Sequence, residues 1–564
     1  MQKLFCMDPA NPTAVKGKPS SFREETEENI GHAVVWVALA LAAFVVVLPF
    51  FWLGIPSGHD FEFHMNSWME VQHQWSHGAL YPRWADLAHF GFGEARFVFY
   101  PPASWMLGAT LGAVLPWKMV PAAYVWAALL LSGSSMFFLA RRWLGPRDAL
   151  GAAILYVINP YYIVIVYWRS AYAELLAGAI LPLLLLFVLR LPEKRGRGII
   201  PLGLIVAAVW LTNAPSAVIA TYSLALFLVV VAARRRSWPI LLYGGAALVV
   251  GLALAAFYVL PATYEEKWVN IGQVLSEGVR PQDNFLFHKL SDPDHNRFNL
   301  LVSLVATVEM IVVAVAALLA RKRRHEVSEV WAPLLAWCAA ATLLMFSFAF
   351  PAWAYLPKLR FVQLPWRWLL CLDAGLAFLV ALAWRRWWQR CLAYAALLAV
   401  LWFVWHRVQP PWWDDAAAVA EMNTAIHSGQ GYEGTDEYVP IAADPYEIDL
   451  HSRRVMLDGP GRADIRVLQW DAESKLFDVH VSAATKLRLR LFNYPAWKVE
   501  VNGQVVSAET SDVTGQLVIP VATGDNRVQL TFLRTWDRWF GGLISVMAAI
   551  VFVAAVFWGK KKEP

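Results

Sequence analysis

Between Gly58 and Pro102 the chain reads GHDFEFHMNSWMEVQHQWSHGALYPRWADLAHFGFGEARFVFYPP, a run of carboxylates, imidazoles and guanidinium groups that begins directly after an apolar stretch. Asp60 and Glu62 form an acidic D-x-E. A carboxylate at a water–lipid boundary can act as a general base toward a hydroxyl. In an extended segment the two would point the same way, whereas on a helix they would diverge and Asp60 would align with His64. The structural alternative is an acidic first turn that favours the helix dipole. His73 and His77 have the i, i+4 spacing that two imidazoles on one helix face would need to share a metal. HQWSH lacks the Glu after its first His that a zincin uses, however, so no zinc site is assigned.

Other candidates stand at the ends of apolar runs. Arg169 and Glu174, in YWRSAYAELL, read either as a snorkelling arginine with a helix-start glutamate or as a phosphate-binding guanidinium with its partner. Arg360, Gln363 and Arg367, in KLRFVQLPWRWLL, repeat the arrangement at a second mouth. Several basic mouths on one side would form a cavity for an anionic lipid headgroup. Glu309 and Asp373 fall inside apolar runs, where ionisable groups are expensive. They read as inter-helix hydrogen bonding or as the start of a proton path.

The elements that position these residues follow from composition. The chain has 564 residues, 58% hydrophobic and 16% charged, with 30 tryptophans, which is the profile of a polytopic membrane protein. Lys and Arg exceed Asp and Glu by 48 to 43 in scattered clusters, which argues against a nucleic-acid partner. Cys6, Cys338, Cys371 and Cys391 give no disulfide framework and no metal motif. Runs of spanning length, about 17 to 25 residues, fall near 32–53, 121–140, 148–166, 173–190, 199–213, 215–233, 239–260, 299–320, 330–350, 366–384, 388–405 and 539–558. Basic clusters mark the cytoplasmic side: Arg141 to Arg147, Arg190 to Arg197, Arg234 to Arg236, Arg321 to Arg324, Arg385 to Arg390 and Lys560 to Lys562. About 12 transmembrane helices put all of them inside; counting 103–117 as a further span would put them all outside. That stretch is therefore expected to be a re-entrant or surface-lying helix within a large first external loop, 54–119.

The expected organisation is a cytoplasmic tail over 1–31, a transmembrane domain over 32–405, an external β-rich domain over 406–538, and a terminal helix with a basic tail over 539–564. The β assignment rests on the strict alternation of KLRLRLF (Lys486 to Phe492) and on Asn502-Gly503, a hairpin turn pair, followed by GQLVIPV and NRVQLTF. No Lys or Arg occurs between Arg407 and Arg453, as expected of an exported segment.

Read together, GHDFEFH (Gly58 to His64), YPRW (Tyr81 to Trp84), GFGEARFVFYPP (Gly91 to Pro102), WRSAYAE (Trp168 to Glu174) and LRFVQLPWR (Leu359 to Arg367) resemble the bacterial membrane proteins labelled "6-pyruvoyl-tetrahydropterin synthase-related", a family similar to the GT-C glycosyltransferases. YPAWKVEVNG (Tyr494 to Gly503) is similar to the external β-domain of related enzymes. At LTNAPSA the chain departs from the pattern, with Asn213 where many relatives carry histidine. The resemblance implies a GT-C-like, polytopic α-helical membrane protein with an external C-terminal antiparallel β-domain. The implied enzyme moves a sugar from a polyprenyl-phosphate carrier to a glycan, lipid or protein acceptor at the external, periplasmic face of the inner membrane. Asp60 takes the place of the superfamily's first-loop aspartate as base, with Glu62 and His64 orienting it or contacting the acceptor. Arg169 and Arg367 would hold the carrier phosphate, and Arg83, Glu174, Arg360 and Gln363 complete the implied substrate-binding set. No metal ligand is assigned, and a divalent ion as cofactor is left open. The alternative from another class is a transporter or flippase of lipid-linked glycans, which should show internal repeats; none is found. A non-catalytic assembly partner would tolerate loss of Asp60.

Overall fold

In a computed structural model the described residues are 31–560, so the expected N-terminal tail and most of the last basic cluster lie outside them. Among the described residues nine helices are long and apolar enough to cross a membrane, and two further pairs, Pro239–Leu254 with Ala256–Trp268 and Ser328–Leu344 with Ser347–Tyr355, qualify as bent spans. Each expected run has a helix. The stretch 199–213 forms Ile199–Trp210, which at 12 residues is shorter than the usual span. The sequence 103–117 forms Pro102–Val114, a 13-residue helix. It lies against the loop helix Phe61–Ser76, where Gly108 lets the Trp68 indole approach its backbone.

The basic clusters converge. Arg142 pairs with Glu193 and with Glu329, and Glu329 also takes Arg235, so three of the clusters meet at one end of the bundle. The helix Tyr172–Lys194 runs from the Arg169–Glu174 region to that end. At 1.5 Å per residue it separates the two faces by about 33 Å, the depth of a bilayer core.

The first loop is ordered throughout. Its helix Phe61–Ser76 buries Met65, Trp68, Met69 and Val71 against the bundle, with Trp68 stacked on Tyr124 at 4.8 Å. Buried Glu94 accepts from Arg96 at 2.5 Å and from the Thr435 N–H at 2.8 Å, and meets His89 at 2.9 Å. Burial alone would raise this carboxyl's pKa; the Arg96 charge and the His89 contact overcome it and hold it at about 2. Glu94, Arg96 and His89 thus belong to the loop's own internal framework.

Beyond the last helix of the main bundle the chain forms two antiparallel sheets. One has the order Val455–Leu457, Thr485–Phe492, Gln516–Val521, Glu509–Thr510. The other has the order Ala463–Asp471, Ser474–Val481, Gly524–Phe532, Trp497–Val501, Gln504–Val506. The alternation in Thr485–Phe492 buries Leu487, Leu489 and Leu491 between them. Asn502 and Gly503, at φ +52° and +80°, turn Trp497–Val501 onto Gln504–Val506 in the twist a two-residue hairpin requires. Their shared core is not self-contained: Trp84, Phe92, Ala95, Val98 and Phe99 of the first loop lie inside it. A two-residue ladder, Ile55–Pro56 on Trp413–Asp414, ties the exit of the first span to the start of this region.

Candidate active site

Asp60 is the residue before the first turn of the loop helix, at a position where an aspartate ordinarily accepts a hydrogen bond from the second or third helical N–H. Its carboxylate makes no such cap. A cap there is worth about 0.5–2 kcal/mol, and the chain forgoes it, leaving the carboxylate 38% exposed and turned toward Arg169. The strand exit holds the backbone in place. The Gly58 N–H donates to Ser170 Oγ at 3.0 Å, the Asp60 N–H donates to the Arg169 carbonyl at 2.8 Å, and Ser170 Oγ–H donates to the Pro56 carbonyl at 2.7 Å. Only glycine fits at 58, because a Cβ there would lie 2.4 Å from the Trp168 carbonyl oxygen.

Arg169 ends a π-helical turn, Ile165–Arg169, a local geometry frequent at functional sites. Ser170 follows at φ +51° and reverses the chain into the helix that carries Glu174. Five residues apart, the two side chains meet. Arg169 Nη1 donates to Glu174 Oε2, while its Nη2 lies 3.4 Å from Asp60 Oδ2. Arg367 reaches the same Glu174 oxygen from Nε at 3.0 Å, and Tyr161 Oη donates to Oε1 at 2.5 Å. Arg367 is set by a tight turn at Gln363, whose φ of +66° and ψ of −62° are strained for a non-glycine residue. Its Nη1 donates to Gln363 Oε1 at 3.0 Å and to the Val362 carbonyl at 2.8 Å. The Arg169 guanidinium also lies 4.9 Å over the Trp366 ring. Glu174, Arg169 and Arg367 are 2%, 2% and 8% exposed, so two guanidinium groups are fixed in a dry setting by one carboxylate, beside a second carboxylate that is half open.

The remaining sequence candidates divide. Glu62 is exposed two residues beyond Asp60, turned about 200° around the helix, so the D-x-E does not form a paired site. His64 is buried among Trp68, Tyr100 and Tyr172, and burial lowers its pKa to about 4, leaving a neutral imidazole beneath Asp60. Gln363 joins the cluster, whereas Arg360 is exposed at the rim over Phe361. Arg83 does not join it: the structure sets it against Glu473 of the sheet region at 3.6 Å. Glu309 and Asp373 lie fully buried on neighbouring helices inside the bundle. Asn213 caps the helix Ala214–Arg235, its Oδ1 accepting from the Ser216 N–H at 3.0 Å, which accounts for an asparagine there. Sequence reasoning missed Tyr161, Trp366 and Tyr100. Burial and then the Asp60 carboxylate push the Tyr100 phenol well above its ordinary pKa, so it remains a hydrogen-bond donor beside the site.

Among the described residues no group of three or more His, Cys, Asp and Glu side chains is arranged to hold a metal ion. Near Asp60 the donor set does not suit one, because Glu174 is occupied by two guanidinium groups and Glu62 turns away.

Fold and site together define a polytopic membrane protein with a large ordered first loop, a C-terminal pair of antiparallel sheets, and an ionic cluster at one mouth of the bundle. The chain belongs to the family described as "6-pyruvoyl-tetrahydropterin synthase related domain; membrane protein", whose model matches residues 97–409. That stretch contains Arg169, Glu174 and Arg367 and begins after Asp60. No curated protein matches the chain. Among solved structures it is similar to ArnT from Cupriavidus metallidurans bound to undecaprenyl phosphate, at 15% identity and TM-score 0.42 over 71% of this chain and 75% of that one. It is similar to the arabinofuranosyltransferase AftD from Mycobacteria at 15% identity and TM-score 0.43, over 71% of this chain and 27% of that one. For the apo form of the Archaeoglobus fulgidus oligosaccharyltransferase the values are 14% and 0.37, over 72% and 57%.

Proposed function

We propose that this protein is a GT-C-type glycosyltransferase that moves a sugar from a polyprenyl-phosphate carrier to an acceptor hydroxyl at the external face of the membrane. The observation that carries the reading is the Asp60–Arg169–Glu174–Arg367 constellation, a half-exposed carboxylate adjoining two guanidinium groups fixed by a buried glutamate. The family resemblance of the segments that supply these residues points the same way. An arginine fork suits a phosphate geometrically, and among the described residues Arg367 Nη2 has no acceptor.

In the proposed reaction the acceptor O–H attacks the anomeric carbon of the donor sugar. The bond from that carbon to the carrier phosphate oxygen breaks, and the electron pair leaves on the phosphate. The acceptor proton passes to a carboxylate oxygen of Asp60. A lipid phosphate is already a good leaving group, so one base and preorganised cations suffice. Glu174 is a positioning residue, and neutral His64 supports the helix end beneath Asp60. Tyr100 is suited to donate to a substrate oxygen. The site is assigned to the external side because the basic clusters gather at the other end of the bundle, and positive loops stay in the cytoplasm.

The test is transfer by purified protein from a panel of polyprenyl-phosphate sugars, with and without Asp60. Transfer that requires Asp60 supports the reading. Absence of transfer from every donor, together with movement of a labelled lipid across vesicles, would replace it with a flippase.

A further inference from the structure

The loop helix that starts at Asp60 has a second concavity at its other end. A cleft of about 550 Å³, within the range of small-ligand sites, lies between the last turns of Phe61–Ser76, the end of Ala416–Ser428 and the edge of the five-stranded sheet. Gln74 in its wall is about 20 Å along the helix axis from Asp60, so the cleft is separate from the ionic cluster.

Its polar groups are incompletely matched. Gln74 is 3% exposed; its amide nitrogen donates to Glu70 Oε1 at 3.0 Å and to the Trp84 carbonyl at 2.9 Å, while its Oε1 has no donor among the described residues. A buried acceptor left unpaired costs about 1–3 kcal/mol. Among the described residues Arg490 donates to the backbone carbonyls of Ser452 and Phe90, and its buried Nε has no acceptor. Arg454 forms no ion pair among the described residues, and its guanidinium stands 5.8 Å from the half-buried Trp470 ring. Of the four carboxylates in the wall, Asp86 is held by Lys475 at 2.7 Å, Glu473 faces Arg83 at 3.6 Å, Glu70 accepts from Tyr432 Oη at 2.5 Å and Asp471 accepts from the Gln469 amide at 2.5 Å; among the described residues none forms an ion pair with Arg454 or Arg490.

An indole ring and two guanidinium groups that form no ion pair among the described residues, together in one cleft, call for a ligand with a stackable ring face and a negative charge. A bare phosphate would leave the indole uncovered, and a neutral sugar would leave the arginines without an anion. We propose that this cleft binds an anionic saccharide, one bearing a carboxylate or a phosphate. The inference does not rest on the transferase reading, because binding here needs no turnover.

The test uses the full chain in detergent, carrying Asp60→Asn so that no probe is consumed, titrated calorimetrically with four probes. These are tetragalacturonic acid, a phosphorylated mannose disaccharide, maltotetraose and inorganic phosphate. At least one of the two anionic saccharides should bind about tenfold or more tightly than maltotetraose and phosphate, and Arg454→Gln and Trp470→Ala should each weaken it about tenfold. Arg454 is exposed, so its variant keeps the test valid if Trp470→Ala does not fold. Which saccharide binds distinguishes carboxylate from phosphate. No binding of either at millimolar concentration, equal binding of maltotetraose or of phosphate, or binding unmoved by the substitutions would overturn the proposal.

Discussion

Asp60 and Arg169 meet twice: the Asp60 N–H donates to the Arg169 carbonyl at 2.8 Å, and Arg169 Nη2 lies 3.4 Å from Asp60 Oδ2. The backbone contact fixes where the loop helix begins relative to the π-turn. The side-chain contact is longer than an ordinary charge-assisted bond, which runs about 2.7–2.9 Å. A rigid main-chain lock with a loose ionic contact gives a carboxylate of fixed position that is still free to exchange its partner.

From this follows the expected effect of Asp60→Asn. The substitution keeps shape and hydrogen bonding but removes proton acceptance, so turnover should fall about 10²- to 10⁴-fold. Donor binding should change little, because the base serves the acceptor. A folded Asp60→Asn protein with undiminished transfer would eliminate Asp60 as base.

Glu174 should behave differently. It is the shared acceptor of Arg169 and Arg367, and removing one partner of a buried ion pair costs about 3–5 kcal/mol. Glu174→Gln should lower Tm in detergent and loosen the donor site. Arg367→Ala should weaken donor binding through loss of bonds worth about 1.5–3 kcal/mol, roughly tenfold or more. If Glu174→Gln leaves both Tm and donor affinity unchanged, the glutamate does not position the arginines.

Much of this architecture is legible in the chain because it is local. The apolar runs, the alternation of Lys486 to Phe492 and the Asn502-Gly503 turn are each decided within a few residues. What the sequence hides is long-range. Nothing around Arg169 announces that Glu174 also serves Arg367, since the π-turn and the strained Gln363 turn that join them depend on the packed bundle. Nor does YPRW disclose that Trp84 is buried among sheet residues such as Tyr494, Trp497 and Phe532. A loop read as polar because of Glu94, Arg96 and His89 turns out to pair those charges with one another.

That shared core makes a prediction about the isolated segment 406–538. Without the first loop it loses Trp84, Phe92 and Phe99 from its interior. A buried aromatic is worth roughly 4–6 kcal/mol as an upper estimate, comparable to the stability of a whole domain. Expressed alone, 406–538 should lack cooperative thermal unfolding by circular dichroism; a sharp transition would show that the loop residues are dispensable.

Sidedness is open to a direct measurement. The face bearing the Arg142–Glu193 and Arg235–Glu329 contacts should be cytoplasmic, and the loop and sheets external. Compartment-sensitive tags near Gly93 and Gly503 should therefore agree with each other and disagree with one near Gly196. Agreement of all three would refute the inferred topology.

Glu70 offers a test through pH. It is fully buried in the loop helix, accepting from Tyr432 Oη at 2.5 Å, the Gln74 amide at 3.0 Å and the Leu87 N–H at 3.1 Å. Burial dominates these bonds and pushes its carboxyl from the ordinary 4.5 up to about 7, with nearby Asp86 adding to the effect. Because the folded-state value is raised, the folded protein binds the proton more tightly than the unfolded chain does. The stability this gives is complete below about pH 4.5 and is lost as pH rises through about 7, a loss on the order of 3 kcal/mol. Glu437, also pushed up to about 7 by burial, titrates the same way in wild type and variant and cancels in their difference. Glu70→Gln retains an acceptor and cannot ionise. Its Tm relative to wild type should therefore become more favourable by a few degrees between pH 5.5 and pH 8.5. A difference in Tm that stays constant over that interval would mean that Glu70 does not titrate there.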